Sequence, residues 1–194
     1  MSAVINGKTV VMQFSTTANS IHNWASAVIR RMTHSPFSHC DIVLPDGNML
    51  GASDSPDSIY ITGNPRGVAV RPPNYQEFGT RRRMLLQTAK AEAILSTAMS
   101  QLGKPFDHEA LHDFISDDFP GVRNWRDTGK WYCAEHIVWS IESAGYWEPR
   151  QLLWPKNRVS PTDIFLVFMF DPNWINRDTF WDPVPGLALG PQEK

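Results

Sequence analysis

Four residues, Pro45-Asp46-Gly47-Asn48, constrain this chain most, because they separate a pair of apolar runs by the length of a tight turn. Residues 39–44 before them read as one strand and residues 49–52 after them as its return. A turn that short joins only antiparallel neighbours, so a hairpin within an antiparallel sheet is expected at the centre of the chain. Further strands are expected at 9–14, 67–71, 83–87 and 164–170. Ile21, Trp24, Ala25, Val28, Ile29 and Met32 fall at steps of three and four, which predicts a helix with Asn19 or Ser20 as its cap. Ala91, Ile94, Leu95, Ala98, Met99 and Leu102 repeat that stripe and end at Gly103. A third helix is expected over 133–144, with Gly145 as its stop. Separated helices with hairpin-spaced strands predict an α+β domain.

At 194 residues and 42% hydrophobic content, the chain has enough material for one core. Residues 1–170 are expected to form the domain. Residues 171–194 read as a Pro-rich tail lying over the surface, held by large aromatic side chains. A formal net charge of −2 excludes a dedicated nucleic-acid binder, whose footprint is a basic surplus. Arg81, Arg82 and Arg83 form the one dense basic cluster and read as a solvated strand edge rather than a phosphate site. No apolar run is long enough to cross a bilayer, and the N-terminus shows no secretion signal, so a cytoplasmic place is expected. Cys40 and Cys133 are the two cysteines, too few for a disulfide framework.

Cys133 stands at the expected first turn of its helix, in Trp131-Tyr132-Cys133-Ala134-Glu135-His136. Unpaired N–H groups and the positive end of the helix dipole stabilise a thiolate there, and the same N–H groups can hold an oxyanion. Such a nucleophile needs an imidazole to take and return a proton. The competing reading is a small core residue, since Ile137 and Ile141 share its face. Cys40 adjoins His39 and points to the opposite face of the same strand, which makes it a core residue.

Three segments carry a family likeness. Ser35-Pro36-Phe37-Ser38-His39-Cys40-Asp41-Ile42-Val43-Leu44 with its hairpin, Leu102-Gly103-Lys104-Pro105-Phe106-Asp107, and Trp131-Tyr132-Cys133-Ala134-Glu135 together resemble the circularly permuted NlpC-type papain-like hydrolases. That branch contains YiiX-like proteins and relatives of lecithin retinol acyltransferase. The resemblance implies a permuted papain-like fold, an antiparallel sheet packed against the nucleophile helix, Cys133 as nucleophile and His39 as general base. It further implies amide or ester cleavage through a thioester, no cofactor, and a peptide or acyl substrate, with peptidoglycan stem peptides first. A cell-wall role without a secretion signal points to a phage-encoded, virion-associated protein of a tail or lysis apparatus, in contact with tail or other assembly proteins. The family's third polar residue falls at Gly51, where no side chain exists to orient an imidazole. Ser53, Asp54 and Asn48 stand near enough in sequence to substitute, and Tyr132 and Glu135 are candidate supports beside the thiol.

Two other classes compete. His108-Glu109-Ala110-Leu111-His112 matches the H-E-x-x-H pattern of zinc metallopeptidases, with His108 and His112 as ligands and Glu109 as base. Against it, Asp107 reads as a helix cap, which puts His108 in a first turn. Asp113 follows the second histidine directly, and Glu135, Glu142 and Asp117 offer no clear third ligand. His22, His34 and His136 belong to no pattern. The third class is a catalytically inactive binding or structural module on the same fold, which the vacancy at Gly51 allows.

Overall fold

The structure, a computed structural model, describes residues 9–17, 24–33, 35–55, 65–76, 78–110, 129–147 and 159–176. Asn19, Ser20, His22, His34, His112, Asp113, Asp117 and residues 177–194 lie outside them. The elements run β1 (Thr9–Thr17), α1 (Trp24–Thr33), β2 (His39–Val43), β3 (Met49–Ser53), β4 (Gly67–Arg71), β5 (Phe78–Gln87), α2 (Ala91–Met99), α3 (Cys133–Ser143), α4 (Pro161–Phe170) and β6 (Trp174–Asn176). The strands form one sheet of six in the order β4-β3-β2-β1-β5-β6, with every pair antiparallel. This is the expected α+β architecture.

Strand alternation gives the sheet two unlike faces. One carries Val10, Met12, Phe14, Cys40, Ile42, Leu50, Ala52, Val68, Val70, Met84 and Leu86, and the helices cover it to make the main core. Ile94 and Ala98 of α2 and Ile137, Val138 and Ile141 of α3 supply the other half of that core. The second face joins a small apolar cluster of Val11, Val43, Met49, Leu85 and Tyr75 to a polar region. Strand register sets Arg83, Gln13 and Asp41 in one row across β5, β1 and β2, and the next row holds Arg81, Ser15 and His39. Extending the β2–β3 register past Ile42 places Gly51 beside Asp41.

The central hairpin forms as expected. Leu44 N–H donates to the Asn48 carbonyl at 2.8 Å, and Gly47 takes the left-handed conformation (φ 88°) that the turn requires. The strand expected at 164–170 is instead helix α4. Its start signal is complete: Ser160 accepts from the Asp163 N–H, the Asp163 carboxylate takes the Ser160 N–H, and Pro161 opens the helix. A short continuous apolar run has no periodicity to separate strand from helix, and the capping box decides it. Trp174–Asn176 pairs with β5 as the last strand, so the sheet extends past residue 170. That strand pairs with Met84–Leu86 and stops short of the arginine cluster, in which Arg81 and Arg82 are half-buried. Arg83 is buried, and its Nε donates to Gln13 Oε1 at 3.0 Å.

Segment 103–107 ties the sheet edge to the start of α3. Gly103 N–H donates to the Val68 carbonyl (2.9 Å) and Val68 N–H to the Lys104 carbonyl (2.9 Å). On the other side Trp131 N–H donates to the Pro105 carbonyl (3.1 Å) and Asp107 N–H to the Trp131 carbonyl (3.0 Å). The approach is so close at Gly67 that a Cβ there would lie 2.0 Å from the Lys104 carbonyl oxygen, and φ is +153°. Gly67→Ala is expected to destabilise the domain by about 2 kcal/mol or more, read as a lower denaturant midpoint in equilibrium unfolding; an unchanged midpoint contradicts this packing.

Candidate active site

The site forms where the beginning of β2 meets the beginning of α3. Tyr132 is extended (φ −100°, ψ 170°) and Cys133 is the first helical residue, so the thiol sits among the unpaired N–H groups of the first turn. His39 opens β2, near enough to Cys133 for each side chain to shift the proton affinity of the other. The histidine's Nε2 is engaged elsewhere. It lies 2.9 Å from Asp41 Oδ2 and 2.7 Å from the Tyr75 hydroxyl, which itself donates to Asp41 Oδ2 at 3.1 Å. Nδ1 is therefore the nitrogen left for the thiol. Cys133, His39, Asp41 and Tyr75 are all buried.

Burial by itself pushes the His39 pKa down, because it penalises the imidazolium. The charge and hydrogen bond of Asp41, followed by the contact with Cys133, more than reverse this and raise it to about 10. The Cys133 pKa is held well below the ordinary thiol range, first by the neighbouring Cys40, then, against an opposing burial effect, by His39 and its charge. Both shifts favour a thiolate beside an imidazolium. As pH rises through about 10 the imidazolium loses its proton and the thiolate its partner. As pH falls, protonation of the thiolate ends the pair from the other side.

Asp41 sets a carboxylate against the imidazole from the same strand, 2.9 Å from Nε2. His39 and Asp41 are two apart on one strand, so their side chains leave the same face. A Cβ on Gly51 would lie 2.2 Å from Asp41 Oδ1, so the carboxylate occupies the volume a side chain there would need. The missing side chain at Gly51 is therefore the space that admits Asp41. Alternation along His39-Cys40-Asp41 carried this signal in the sequence. Tyr75 had none, since it reaches the site from the connection between β4 and β5. Its own proton is held firmly, by burial first and by the Asp41 charge second, so it acts as a donor.

Of the other candidates, Ser53 is buried, and its hydroxyl accepts from the Ser55 N–H at 3.2 Å. Asp54 is at the surface, 3.5 Å from Arg66 and 3.4 Å from His108. Asn48 belongs to the turn and donates to Asp46. The Tyr132 hydroxyl donates to the Val159 carbonyl and accepts from the Val159 N–H, both at 3.1 Å, which pegs the chain before α4 to the start of α3. Glu135 is buried in the first turn of α3. His136 is buried, contacts the Ala98 carbonyl at 3.2 Å, and burial lowers its pKa to about 4, so it stays neutral. Arg71 is fully buried, and its guanidinium donates to the carbonyls of Gly51, Ser53, Pro65 and Gly67 while facing the Tyr75 ring.

The H-E-x-x-H segment is described only as far as Ala110. Asp107 caps it by accepting the Ala110 N–H at 2.8 Å. His108 is exposed and pairs with Asp54, and Glu109 pairs with Lys130 at 3.5 Å. Among the described residues no group of three or more metal-ligating side chains converges, and no helix is long and apolar enough to cross a membrane. No protein-family model matches the chain, and no curated protein is significantly similar to it.

The ion pair predicts alkylation of Cys133 by iodoacetamide at pH 6 on the order of ten-fold or more faster than that of an ordinary thiol, with the rate nearly level to pH 9. Asp41→Asn should slow the reaction at pH 6 and bring the alkaline break below 10, and Gly51→Ala should do the same by displacing the carboxylate. An ordinary thiol profile in the unmodified protein would contradict the pair.

Proposed function

We propose that the chain is a cysteine-dependent amide or ester hydrolase of the permuted papain-like, NlpC-type kind. The observation that carries this reading is the buried grouping of Cys133, His39 and Asp41, with the imidazole 2.9 Å from the carboxylate and the thiol at a helix N-terminus. In the first half-reaction the Cys133 thiolate attacks the substrate carbonyl and forms a C–S bond. The oxyanion lies against the first-turn N–H groups of α3, which are aimed before the charge develops. His39 gives its proton to the departing amine or alcohol as the C–N or C–O bond breaks. Neutral His39 then takes a proton from water, and the hydroxide so formed cleaves the thioester to the acid and returns the thiolate. Asp41 and Tyr75 hold the ring so that Nδ1 faces the sulfur throughout.

The likeness of the Ser-His strand, the Leu-Gly-Lys-Pro-Phe-Asp turn and the Tyr-Cys helix start to the NlpC-type hydrolases supports a peptidoglycan stem peptide as substrate, cut as a peptidase or amidase. A phage tail or lysis apparatus is the setting that fits such an enzyme here. Incubated with purified peptidoglycan, the protein is expected to release new amino groups. Cys133→Ala and His39→Ala should each lower kcat/KM by about 10³-fold or more. Equal release by the Cys133→Ala variant would overturn the proposal. So would failure of the unmodified protein to cleave either peptidoglycan or activated acyl esters while Cys133 remains alkylatable.

A further inference from the structure

The polar part of the second sheet face holds two arginines that the reaction does not use. Arg81 and Arg83 are two apart on β5, so both side chains leave the face that carries His39 and Asp41. Arg83 is buried, and the one partner of its guanidinium among the described residues is Gln13 Oε1, 3.0 Å from Nε. Arg81 is half-buried; its Nη2 donates to Asn74 Oδ1 at 3.2 Å, and the guanidinium lies 4.3 Å from the centre of the Phe78 ring. No carboxylate among the described residues pairs with either arginine. Asp41 shares a row with Arg83 but is spent elsewhere: His39 and Tyr75 hold its Oδ2, and its Oδ1 points toward Gly51, on the side of β2 away from β5. Ser15 stands between Arg81 and His39 in the strand register, fully buried with its hydroxyl unpartnered, and Gln13 Nε2 is buried and unpartnered too. This stretch of the face therefore presents donors and two like charges, an arrangement that is costly without an acceptor. Burial first, then the charge of Arg81, lower the proton affinity of Arg83, in keeping with that cost.

We propose that Arg81 and Arg83 form a carboxylate-binding subsite beside the nucleophile, which selects substrates with a free carboxylate about three residues from the scissile bond. The separation follows from the sheet. Strands β5 and β2 flank β1, so the backbones of Arg81 and His39 stand two strand spacings apart, about 10 Å. An extended peptide covers that span in about three residues. Side chains connect the two ends: the Tyr75 hydroxyl is 2.7 Å from His39 Nε2, the Tyr75 and Phe78 ring centres are 5.5 Å apart, and Arg81 lies over Phe78. Gln13 engages Arg83 through Nε and leaves its two terminal nitrogens as a fork, which matches the two oxygens of a planar carboxylate. Binding there makes and breaks no bond. Its effect is to hold the scissile carbonyl over Cys133, so it acts on kcat/KM.

The inference rests on the hydrolase reading of Cys133 and His39 and names a feature of the substrate. In the test, the whole chain is treated at pH 6 with bromoacetyl-glycylglycine, whose carboxylate lies about 9 Å from its reactive carbon. A parallel sample receives the neutral carboxamide of the same reagent, and alkylation of Cys133 is followed by mass. The ratio of the two rates cancels the reactivity of the thiol itself. The carboxylate is expected to react about ten-fold or more faster. The two rates should become equal in Arg83→Gln, and also in Arg81→Gln, whose half-buried position keeps the test open if the buried substitution disturbs folding. Arg82→Gln removes the same charge from the opposite face and should keep the preference. Equal rates in the unmodified protein, or a preference lost as fully in Arg82→Gln as in Arg81→Gln, would overturn the inference and leave the hydrolase standing. A preference that follows Arg81 and Arg83 in a protein that cleaves neither peptidoglycan nor activated acyl esters keeps the carboxylate site and loses the hydrolase.

Discussion

The contact between His39 and Asp41 is the interaction on which the site depends. Both side chains leave one face of β2, and the carboxylate reaches the ring's Nε2 at 2.9 Å. That bond fixes which nitrogen faces Cys133 and raises the imidazole's affinity for its proton. It exists only because Gly51 on the neighbouring strand leaves the volume that Asp41 Oδ1 fills. One strand thus supplies the base and its orienting group, and the next supplies the space.

Burying such charges is costly unless each is paired and hydrogen-bonded. The polar face of the sheet answers with oppositely charged and donor groups close by. Tyr75 donates to Asp41, and the Arg71 guanidinium faces the Tyr75 ring while it binds the backbone of β3 and β4. Arg83 and Gln13 continue the row on the other side of Asp41. Across the sheet the opposite face is almost wholly apolar and receives α2 and α3. Cys133 sits where the two regimes meet, at a helix start over the end of β2. The histidine of the polar face and the helix start that packs on the apolar face thus come together at one end of β2.

Much of this was legible in the chain. The Pro45–Asn48 turn specified the central hairpin, and the helical stripe at 91–102 specified α2. Gly145, with φ of 69°, ends α3 as its place after Ala144 suggests. Asp41 was readable by the same alternation that sends Cys40 to the opposite face, once Gly51 is seen as space rather than as a loss. Tyr75 was not, because its position depends on how the β4–β5 connection folds back over the sheet, a contact 34 residues from Asp41 with no local signature. Cys40 was readable too: it lies fully buried in the main core, as its place opposite His39 on the strand implies. Helix α4 was masked by its continuous apolar sequence, although Ser160, Pro161 and Asp163 spelled its start.

The central claim is that Cys133 and His39 rest as thiolate and imidazolium, held by Asp41. Its most direct test is a nuclear magnetic resonance titration of the ring nitrogens of His39, assigned by comparison with His39→Gln. The ring should be doubly protonated at pH 8 and lose its proton near pH 10, and in Asp41→Asn that loss should move to lower pH. A His39 ring that is neutral at pH 8, titrating near the ordinary histidine value of about 6.5, would contradict the ion pair and with it the mechanism built on Cys133.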